Sequence, residues 1–175
     1  MPLPLRDFVR NLEAYTPGEQ PTEPNVVKLN TNENPYPPAP EVLAALTALG
    51  PDDLRKYPPA SADPLRDSIA RRFGLVRDRI IVGYGSDEIL RLLCHAITGP
   101  GRPLASLRPS YSLFSVLGAL YEARTLFFDE TPPRDASEPA RLPQSFVEAP
   151  APLVFLPNPN PPYGTFYPVE EIERL

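Results

Sequence analysis

The sequence predicts an α/β fold with a mostly parallel sheet flanked by helices. Short apolar runs typical of buried strands alternate with longer segments whose apolar residues recur at helical spacing. The 27 prolines fall between these segments instead of forming one low-complexity tract. In a sheet built this way ligands collect at the carboxyl ends of the strands, so a site is expected in the loops at that edge.

The first half of the chain predicts three helices and one short strand. In chain order these elements are a helix over 5–14, a strand over 26–29, a helix over 40–49 and a helix over 63–74. Asp63 can cap the last helix, Pro64 suits its first turn, and Gly74 can end it. The proline-rich stretch between the strand and the second helix is irregular, because each proline disfavours helix at the residue before it.

The second half of the chain carries the clearest alternation. Strands are predicted over 80–82, 104–107, 123–128 and 153–156, and helices over 86–98, 111–121 and 168–175. A polar, proline-rich segment occupies 130–150. Ser110 can cap the predicted helix over 111–121. Three segments therefore reach the carboxyl edge of the sheet, namely GYGSDE, RPSY and LPNPNPPYG.

Composition excludes several classes of protein. The net charge of −5 gives no reason to expect nucleic acid or an anionic membrane as a partner. No stretch reaches the roughly 18 apolar residues of a membrane span. Cys94 and His95 are the only residues of their types and point about 100° apart on a helix, so they make a poor metal pair. A reducing cytoplasm is the expected compartment.

The segment GYGSDEILRLL admits two interpretations. The first amides of the helix could bind a phosphate, with Gly85 allowing close approach and Ser86 adding a hydroxyl donor. Alternatively Ser86 only caps the helix, while Asp87 and Glu88 occupy a first turn in which carboxylates are favourable anyway. A dinucleotide fingerprint is excluded, because Glu88 stands where the third glycine is required.

Five motifs follow one another along the chain: LNTNENPYPP, KYP, GYGSDEI, PSY and NPNPPYG. In this order and spacing the chain resembles the amino-terminal half of the histidinol-phosphate aminotransferases, which are fold type I pyridoxal-phosphate enzymes of the class I/II aminotransferases. The resemblance runs from about Tyr15 to Leu175. It implies an N-terminal arm and substrate-side loop over 1–38, followed over 39–175 by an incomplete large domain of that fold.

The resemblance implies a pyridoxal 5′-phosphate site. Gly85, Ser86 and Asp87 would hold the cofactor phosphate, mostly through backbone amides, with the Asp87 carboxylate pointing away. Tyr111 in PSY would stack on the pyridine ring. Tyr57 in KYP would reach the cofactor phosphate of the partner subunit, which implies a homodimer with shared sites.

The resemblance also implies substrate contacts. Tyr15 lies in AYTPG, which is similar to the family's Tyr-x-Pro-Gly segment, where the tyrosine helps to bind the substrate's phosphate. A hydrophobic latch on a mobile arm is the alternative for this residue. Asn32 and Asn34 in the NENPY loop would form a wall on the substrate side.

One motif departs from the family pattern. The family usually has Asn-Asn-Pro-Thr-Gly, in which the asparagine before Pro-Thr-Gly donates to the ring hydroxyl oxygen of the cofactor. Without gaps Pro161 falls on that asparagine, whereas a shift of one residue brings Asn160 onto it. Asn160 is therefore the candidate donor and Asn158 a distant second. The alternative is a proline-stiffened turn without a ligand.

A transaminase of this kind also needs a lysine that binds the cofactor covalently, and Lys28 and Lys56 stand in the wrong contexts. We therefore expect an inactive half of a longer enzyme that exchanges the amino group of histidinol phosphate with 2-oxoglutarate in histidine biosynthesis. Two alternatives stay open. One is a related cofactor enzyme, such as a threonine-phosphate decarboxylase or another class I/II aminotransferase. The other is a non-catalytic phosphate-binding or dimerisation fragment.

Overall fold

The computed structural model describes residues 4–13, 15, 18–23, 25–133, 135 and 138–175. The chain divides into two compact units, one formed by Met1–Tyr15 together with Tyr84–Leu175 and the other by Thr16–Gly83. The predicted boundary between the arm and the large domain, after residue 38, falls inside the second unit and stays a prediction.

A parallel sheet forms the centre of the first unit, as the sequence predicts. Its strands are β1 (Leu104–Arg108), β2 (Thr125–Asp129) and β3 (Leu153–Phe155), in the order β2-β1-β3. Arg108 lies opposite Asp129, and Ser106 lies opposite Phe155. Because all three strands run the same way, their carboxyl ends lie at one edge of the sheet.

Helices precede, follow and connect these strands. They are α1 (Asp7–Arg10), α2 (Pro40–Thr47), α3 (Pro51–Leu54), α4 (Asp63–Phe73), α5 (Gly85–Ile97), α6 (Leu113–Leu120), α7 (Gln144–Val147) and α8 (Val169–Ile172). The predicted helices over 40–49, 63–74, 86–98 and 111–121 are confirmed, and their ends differ from the prediction by at most two residues. The predicted helix over 5–14 is wrong in length, since only Asp7–Arg10 is helical among its described residues, and residue 14 lies outside them.

The core of the first unit covers both faces of the sheet. Alternate residues of β1 point to opposite faces, so Leu104 enters one cluster while Ala105 and Leu107 enter the other. The first cluster consists of Cys94, Leu104, Leu113, Phe114, Leu117 and Phe155. The second consists of Ala105, Leu107, Ala140, Leu142, Phe146 and Tyr167. Helices α5 and α6 therefore cover one face, and α7 with its flanking segments covers the other.

Helices without a sheet make up the regular structure of the described part of Thr16–Gly83. The strands predicted over 26–29 and 80–82 are wrong, because both stretches are irregular. Val27 and Leu29 are exposed in the first stretch and Ile81 is exposed in the second, so neither stretch buries its whole apolar run. The guanidinium of Arg66 on α4 instead holds the second stretch, donating to the carbonyls of Ile80 at 2.9 Å and Arg77 at 3.0 Å.

Two predicted caps are corrected by the structure. Asp63 is the first residue of α4 and its carboxylate pairs with Arg66 at 3.1 Å, while Ala62 occupies the cap position. Ser110 does not cap α6, because Ser112 occupies that position and the Ser110 hydroxyl donates to another loop. The predicted end of α4 at Gly74 is confirmed, with a left-handed φ of 65° that glycine adopts without a Cβ clash.

Candidate functional site

The first turn of α5 presents free backbone donors. The helix begins at Gly85, with Tyr84 at the cap position and the Glu88 carboxylate accepting from the Tyr84 amide at 2.6 Å. Ser86 is thus the second helical residue, and the interpretation of it as the cap is wrong. The amides of Gly85, Ser86 and Asp87 have no acceptor within the helix, because they lie in its first turn. Gly85 has a φ of 76° with open space where a Cβ would lie, so a ligand can approach the backbone there.

Tyr111, in the loop after β1, lies against this turn. Its hydroxyl donates towards the Asp87 carboxylate, with distances of 3.3 and 3.4 Å to the two oxygens. Its ring meets Tyr15 edge-on at 6.2 Å and Phe114 edge-on at 5.6 Å. Burial raises the pKa of Tyr111, and its contacts with the Tyr15 hydroxyl and the negative charge of Asp87 raise it further. The phenol is therefore held neutral beside the helix terminus.

Asn160, in the loop after β3, is fully buried with all of its side-chain hydrogen bonds made inside the protein. Its Nδ2 donates to the carbonyl of Pro109 at 2.9 Å and to Oε2 of Glu130 at 2.8 Å. Its Oδ1 accepts from the Ser110 hydroxyl at 2.7 Å. Donation to a cofactor ring would require one of these bonds to be given up, so the predicted ring contact of Asn160 stays a prediction.

Sequence reasoning missed Glu130 and Tyr167. Glu130 follows β2 directly and is 8% exposed. Its Oε1 accepts from the hydroxyl of Tyr167 at 2.8 Å, while Oε2 accepts from Asn160. Burial raises the pKa of Tyr167, and the bond to Glu130 and its charge raise it further. The available signal was the position of Glu130 at the carboxyl end of a strand.

Asn158 has a structural partner of its own. Its Nδ2 donates to the carbonyl of Tyr167 at 2.9 Å, and its Oδ1 accepts from the Tyr167 amide at 2.9 Å. Between Asn158 and Tyr167 the chain turns tightly. The Asn160 amide donates to the carbonyl of Thr165 at 2.8 Å, and Gly164 adopts a φ of 70°. NPNPPYG is therefore a closed turn that presents Asn160 to the sheet edge.

The other predicted site residues lie in the unit Thr16–Gly83. Tyr57 is fully exposed. Asn32 and Asn34 line a cavity of about 350 Å³ together with Lys28. The Asn34 side chain accepts from the Tyr36 amide at 3.0 Å, which stabilises the turn. Lys28 forms an ion pair with Glu33 at 2.6 Å, and its hydrogen bond lowers the pKa of that carboxyl.

The described residues provide neither a metal-binding cluster nor a membrane-spanning helix. No group of three or more His, Cys, Asp or Glu side chains there could hold a metal ion. No helix of that part of the chain is both long and apolar enough to cross a membrane. Cys94 is buried, and burial raises the pKa of its thiol, whereas the ring of His95 lies 5.7 Å from that of Tyr121.

The first unit therefore offers a defined set of ligand contacts. Helix amides and the Ser86 hydroxyl can hold an anion, and the helix dipole favours negative charge at the same place. Tyr111 supplies an aromatic surface beside this turn, since its hydroxyl contacts the carboxylate of Asp87. This donor set fits the phosphate and ring of pyridoxal phosphate. It does not supply an amine, because Lys28 and Lys56 belong to the other unit.

Comparison with known proteins assigns the family. Residues 24–175 match the family described as aminotransferase class I and II. The chain belongs to the class I and II aminotransferases. This aminotransferase chain is 41% identical over 175 residues to the histidinol-phosphate aminotransferase of Syntrophotalea carbinolica, covering 98% of this chain and 48% of that protein. It is 43% identical over 171 residues to that of Aromatoleum aromaticum, covering 95% and 46%. The chain spans about half the length of these curated relatives.

Solved structures confirm the predicted fold of this aminotransferase chain. The histidinol-phosphate aminotransferase of Sinorhizobium meliloti, solved with pyridoxal-5′-phosphate, aligns with a TM-score of 0.66 at 27% identity, covering 77% of this chain and 36% of that one. N-succinyldiaminopimelate aminotransferase of Mycobacterium tuberculosis aligns with a TM-score of 0.62 at 21% identity, covering 76% and 37%, and supports the fold alone. The chain is part of a fold type I domain.

Proposed function

We propose that this chain is the cofactor-phosphate and ring-binding part of an enzyme that transfers the amino group of histidinol phosphate to 2-oxoglutarate in histidine biosynthesis. The observation that carries the proposal is the contact between Tyr111 and Asp87, which brings an aromatic ring to the free amides of α5. Support for the substrate comes from the relatives, which are named histidinol-phosphate aminotransferases. Support for the cofactor comes from a related structure solved with it.

In this proposal each residue of the first unit has a defined task. The amides of Gly85, Ser86 and Asp87 bind the cofactor phosphate, and the Ser86 hydroxyl adds a fourth donor. Tyr111 covers one face of the ring and excludes water from it. Tyr15, whose ring lies edge-on to Tyr111, faces the phosphate of the substrate. Pyridoxal phosphate, when bound, supplies the electron sink for chemistry at the carbon that bears the amino group.

The remaining groups come from outside this unit. We assign to Asn32 and Asn34 the substrate-side wall, and to Tyr57 a contact with the cofactor phosphate of a second subunit in a homodimer. The full exposure of Tyr57 leaves its side chain available for such a contact. Neither Lys28 nor Lys56, which both lie in the unit Thr16–Gly83, is assigned the role of the cofactor-binding lysine. The single cysteine is consistent with a cytoplasmic location.

Cofactor binding is tested with Tyr111→Leu in the longest natural form of the protein that contains this sequence. Removing the stacking ring should weaken pyridoxal phosphate binding about two- to tenfold, measured by absorbance titration. Tyr121→Leu is the matched control, because Tyr121 packs on the same core cluster at the other end of α6. Equal affinities for the two variants and the wild type would contradict the ring-binding role.

The reaction is tested by supplying histidinol phosphate and 2-oxoglutarate and measuring glutamate. Glutamate formation supports the transaminase. Release of carbon dioxide from threonine phosphate, without glutamate, would support the decarboxylase alternative. If the protein binds inorganic phosphate but not the cofactor, the non-catalytic phosphate-binding alternative replaces the proposal.

A further inference from the structure

Glu130 is a buried carboxylate held by neutral donors. Tyr167 and Asn160 each donate to one of its oxygens at 2.8 Å, and the Glu130 amide donates to the carbonyl of Arg108 at 2.9 Å. Among the described residues no cation pairs with it, since the Arg108 guanidinium pairs with Asp129 at 2.8 Å. A buried charge is costly unless it is hydrogen-bonded, so this carboxylate constrains the groups that donate to it.

The carboxylate determines which way the Asn160 amide faces. The Nδ2 group lies between two acceptors, Oε2 of Glu130 and the carbonyl of Pro109, and can satisfy both. With the amide turned over, Oδ1 would face two oxygens and repel both. The observed orientation leaves Oδ1 free to accept from the Ser110 hydroxyl at 2.7 Å. Glu130, together with the carbonyl of Pro109, therefore sets the donor and acceptor pattern of the strand-end junction.

This junction leads directly to Tyr111. Pro109 and Ser110 are its two preceding residues, and both are held by Asn160. The three strand-end loops are thus tied to one another: the loop after β1 through Pro109 and Ser110, the loop after β2 through Glu130, and the loop after β3 through Asn160. A loop fixed at two consecutive residues leaves Tyr111 little freedom in its backbone direction.

We propose that Glu130 is a positioning residue for Tyr111, acting through the Asn160 amide and the Pro109–Ser110 segment to aim the ring at the first turn of α5. The inference rests on the proposed function, in which that ring covers the cofactor. It assigns to a strand-end carboxylate a task that requires an acceptor and not a charge. The Tyr167 bond stabilises the carboxylate but does not lie on the path to Tyr111.

The chemistry of the side chain separates Glu130→Gln from Glu130→Leu. Glutamine keeps one oxygen, which can accept a hydrogen bond from Asn160. Its amide NH2 group then faces Tyr167 and can donate to the hydroxyl oxygen of that residue. Leucine offers no acceptor, so the Asn160 amide loses one of the two acceptors that orient it and keeps only the carbonyl of Pro109. Tyr167→Phe is the matched control, because it removes the other donor to the same carboxylate and leaves the Asn160 bond in place.

The experiment measures two quantities in the longest natural form of the protein that contains this sequence. One is the pKa of Tyr111 without cofactor, by ultraviolet difference titration with Tyr111→Phe identifying the signal. The other is the dissociation constant of pyridoxamine 5′-phosphate, a probe that binds without a covalent bond. Glu130→Leu should lower the Tyr111 pKa towards its ordinary value and weaken the probe about tenfold. Glu130→Gln should restore both, and Tyr167→Phe should change neither.

Ser110→Ala keeps the test decisive if Glu130→Leu does not fold. It cuts the same path at its last step while leaving the buried carboxylate untouched, and it should shift both quantities in the same direction by a smaller factor. Unchanged values in the leucine or alanine variant, or equal changes in Tyr167→Phe, would overturn the positioning role. A wild type that fails to bind the probe would instead overturn the proposed function, while a shifted Tyr111 pKa would still support the positioning of the ring.

Discussion

The hydroxyl of Tyr111 lies 3.3 Å from Oδ1 of Asp87, and this contact joins the loop after β1 to the first turn of α5. It changes how Asp87 is interpreted. A carboxylate near a phosphate-binding turn is unfavourable if it faces the phosphate, but here it accepts from a phenol. The side chain of Asp87 orients the ring, and its amide remains available to an anion.

Replacing Asp87 by asparagine should lower the pKa of Tyr111. The negative charge of Asp87 opposes formation of the phenolate, so the neutral amide removes one of the causes that raise this pKa, while burial keeps it above the ordinary value of about 10. Difference titration at alkaline pH measures the change. Asp129→Asn removes a charge at the same sheet edge and should leave the Tyr111 signal in place. An unchanged pKa in Asp87→Asn would show that the contact is absent in solution.

The sequence predicts the sheet edge well because its signals are local. Apolar runs that end in polar loops predict β1 and β3, and a helix beginning next to glycine predicts α5. The same type of run over 26–29 and 80–82 is irregular, since an apolar run does not say whether a partner strand lies beside it. The strand signal was therefore reliable only where both faces of the sheet are covered.

Glycine at position 118 should be required by packing. A Cβ there would lie 2.1 Å from Oγ1 of Thr125 and 3.2 Å from the carbonyl of Ala123. Alanine in an open helix gains about 1 kcal/mol over glycine, whereas overpacking costs about 1–3 kcal/mol. We therefore expect Gly118→Ala to lower the free energy of unfolding, measured by urea denaturation. In Gly99→Ala, where a Cβ meets nothing within 4 Å, the value should stay close to wild type. A stabilised Gly118→Ala would contradict the close approach of α6 to β2.

The bond from Tyr167 to Glu130 should make stability fall at high pH. Folding raises the pKa of this phenol above its unfolded value of about 10, so the stabilisation is fully present below that pH and is lost as pH rises through the folded pKa. Tyr167→Phe should cost about 1–3 kcal/mol at neutral pH, because a buried charged acceptor loses its donor. Urea denaturation at neutral and strongly alkaline pH should show a smaller decline for the variant. An equal decline would assign the alkaline effect to other groups.

The candidate site was predictable only in part. Tyr111 follows β1 in the sequence, so topology brings it to the sheet edge, whereas no strand precedes α5 and its first turn is placed by the contact between Asp87 and Tyr111. Glu130 is different, because its burial depends on donors 30 and 37 residues further along the chain. A lone acid after a strand is usually solvated, and only the three-dimensional turn that carries Asn160 and Tyr167 makes it a junction.

The carboxylate of Glu171 should make stability fall at low pH. It accepts from the amide of buried Leu142 at 2.9 Å and from Arg174 at 2.5 Å, and the backbone bond is the main cause of its lowered pKa. Since folding lowers this pKa, the stabilisation is present above the unfolded value of 4.5 and is lost as pH falls through the folded pKa. Glu171→Gln should therefore be less stable than wild type at neutral pH and should lose less stability on acidification, measured by thermal unfolding from pH 7 to pH 3. Glu170→Gln removes the same charge one residue earlier and should follow the wild-type curve. If the two variants gave the same curve, net charge and not the bond to Leu142 would explain the acid sensitivity.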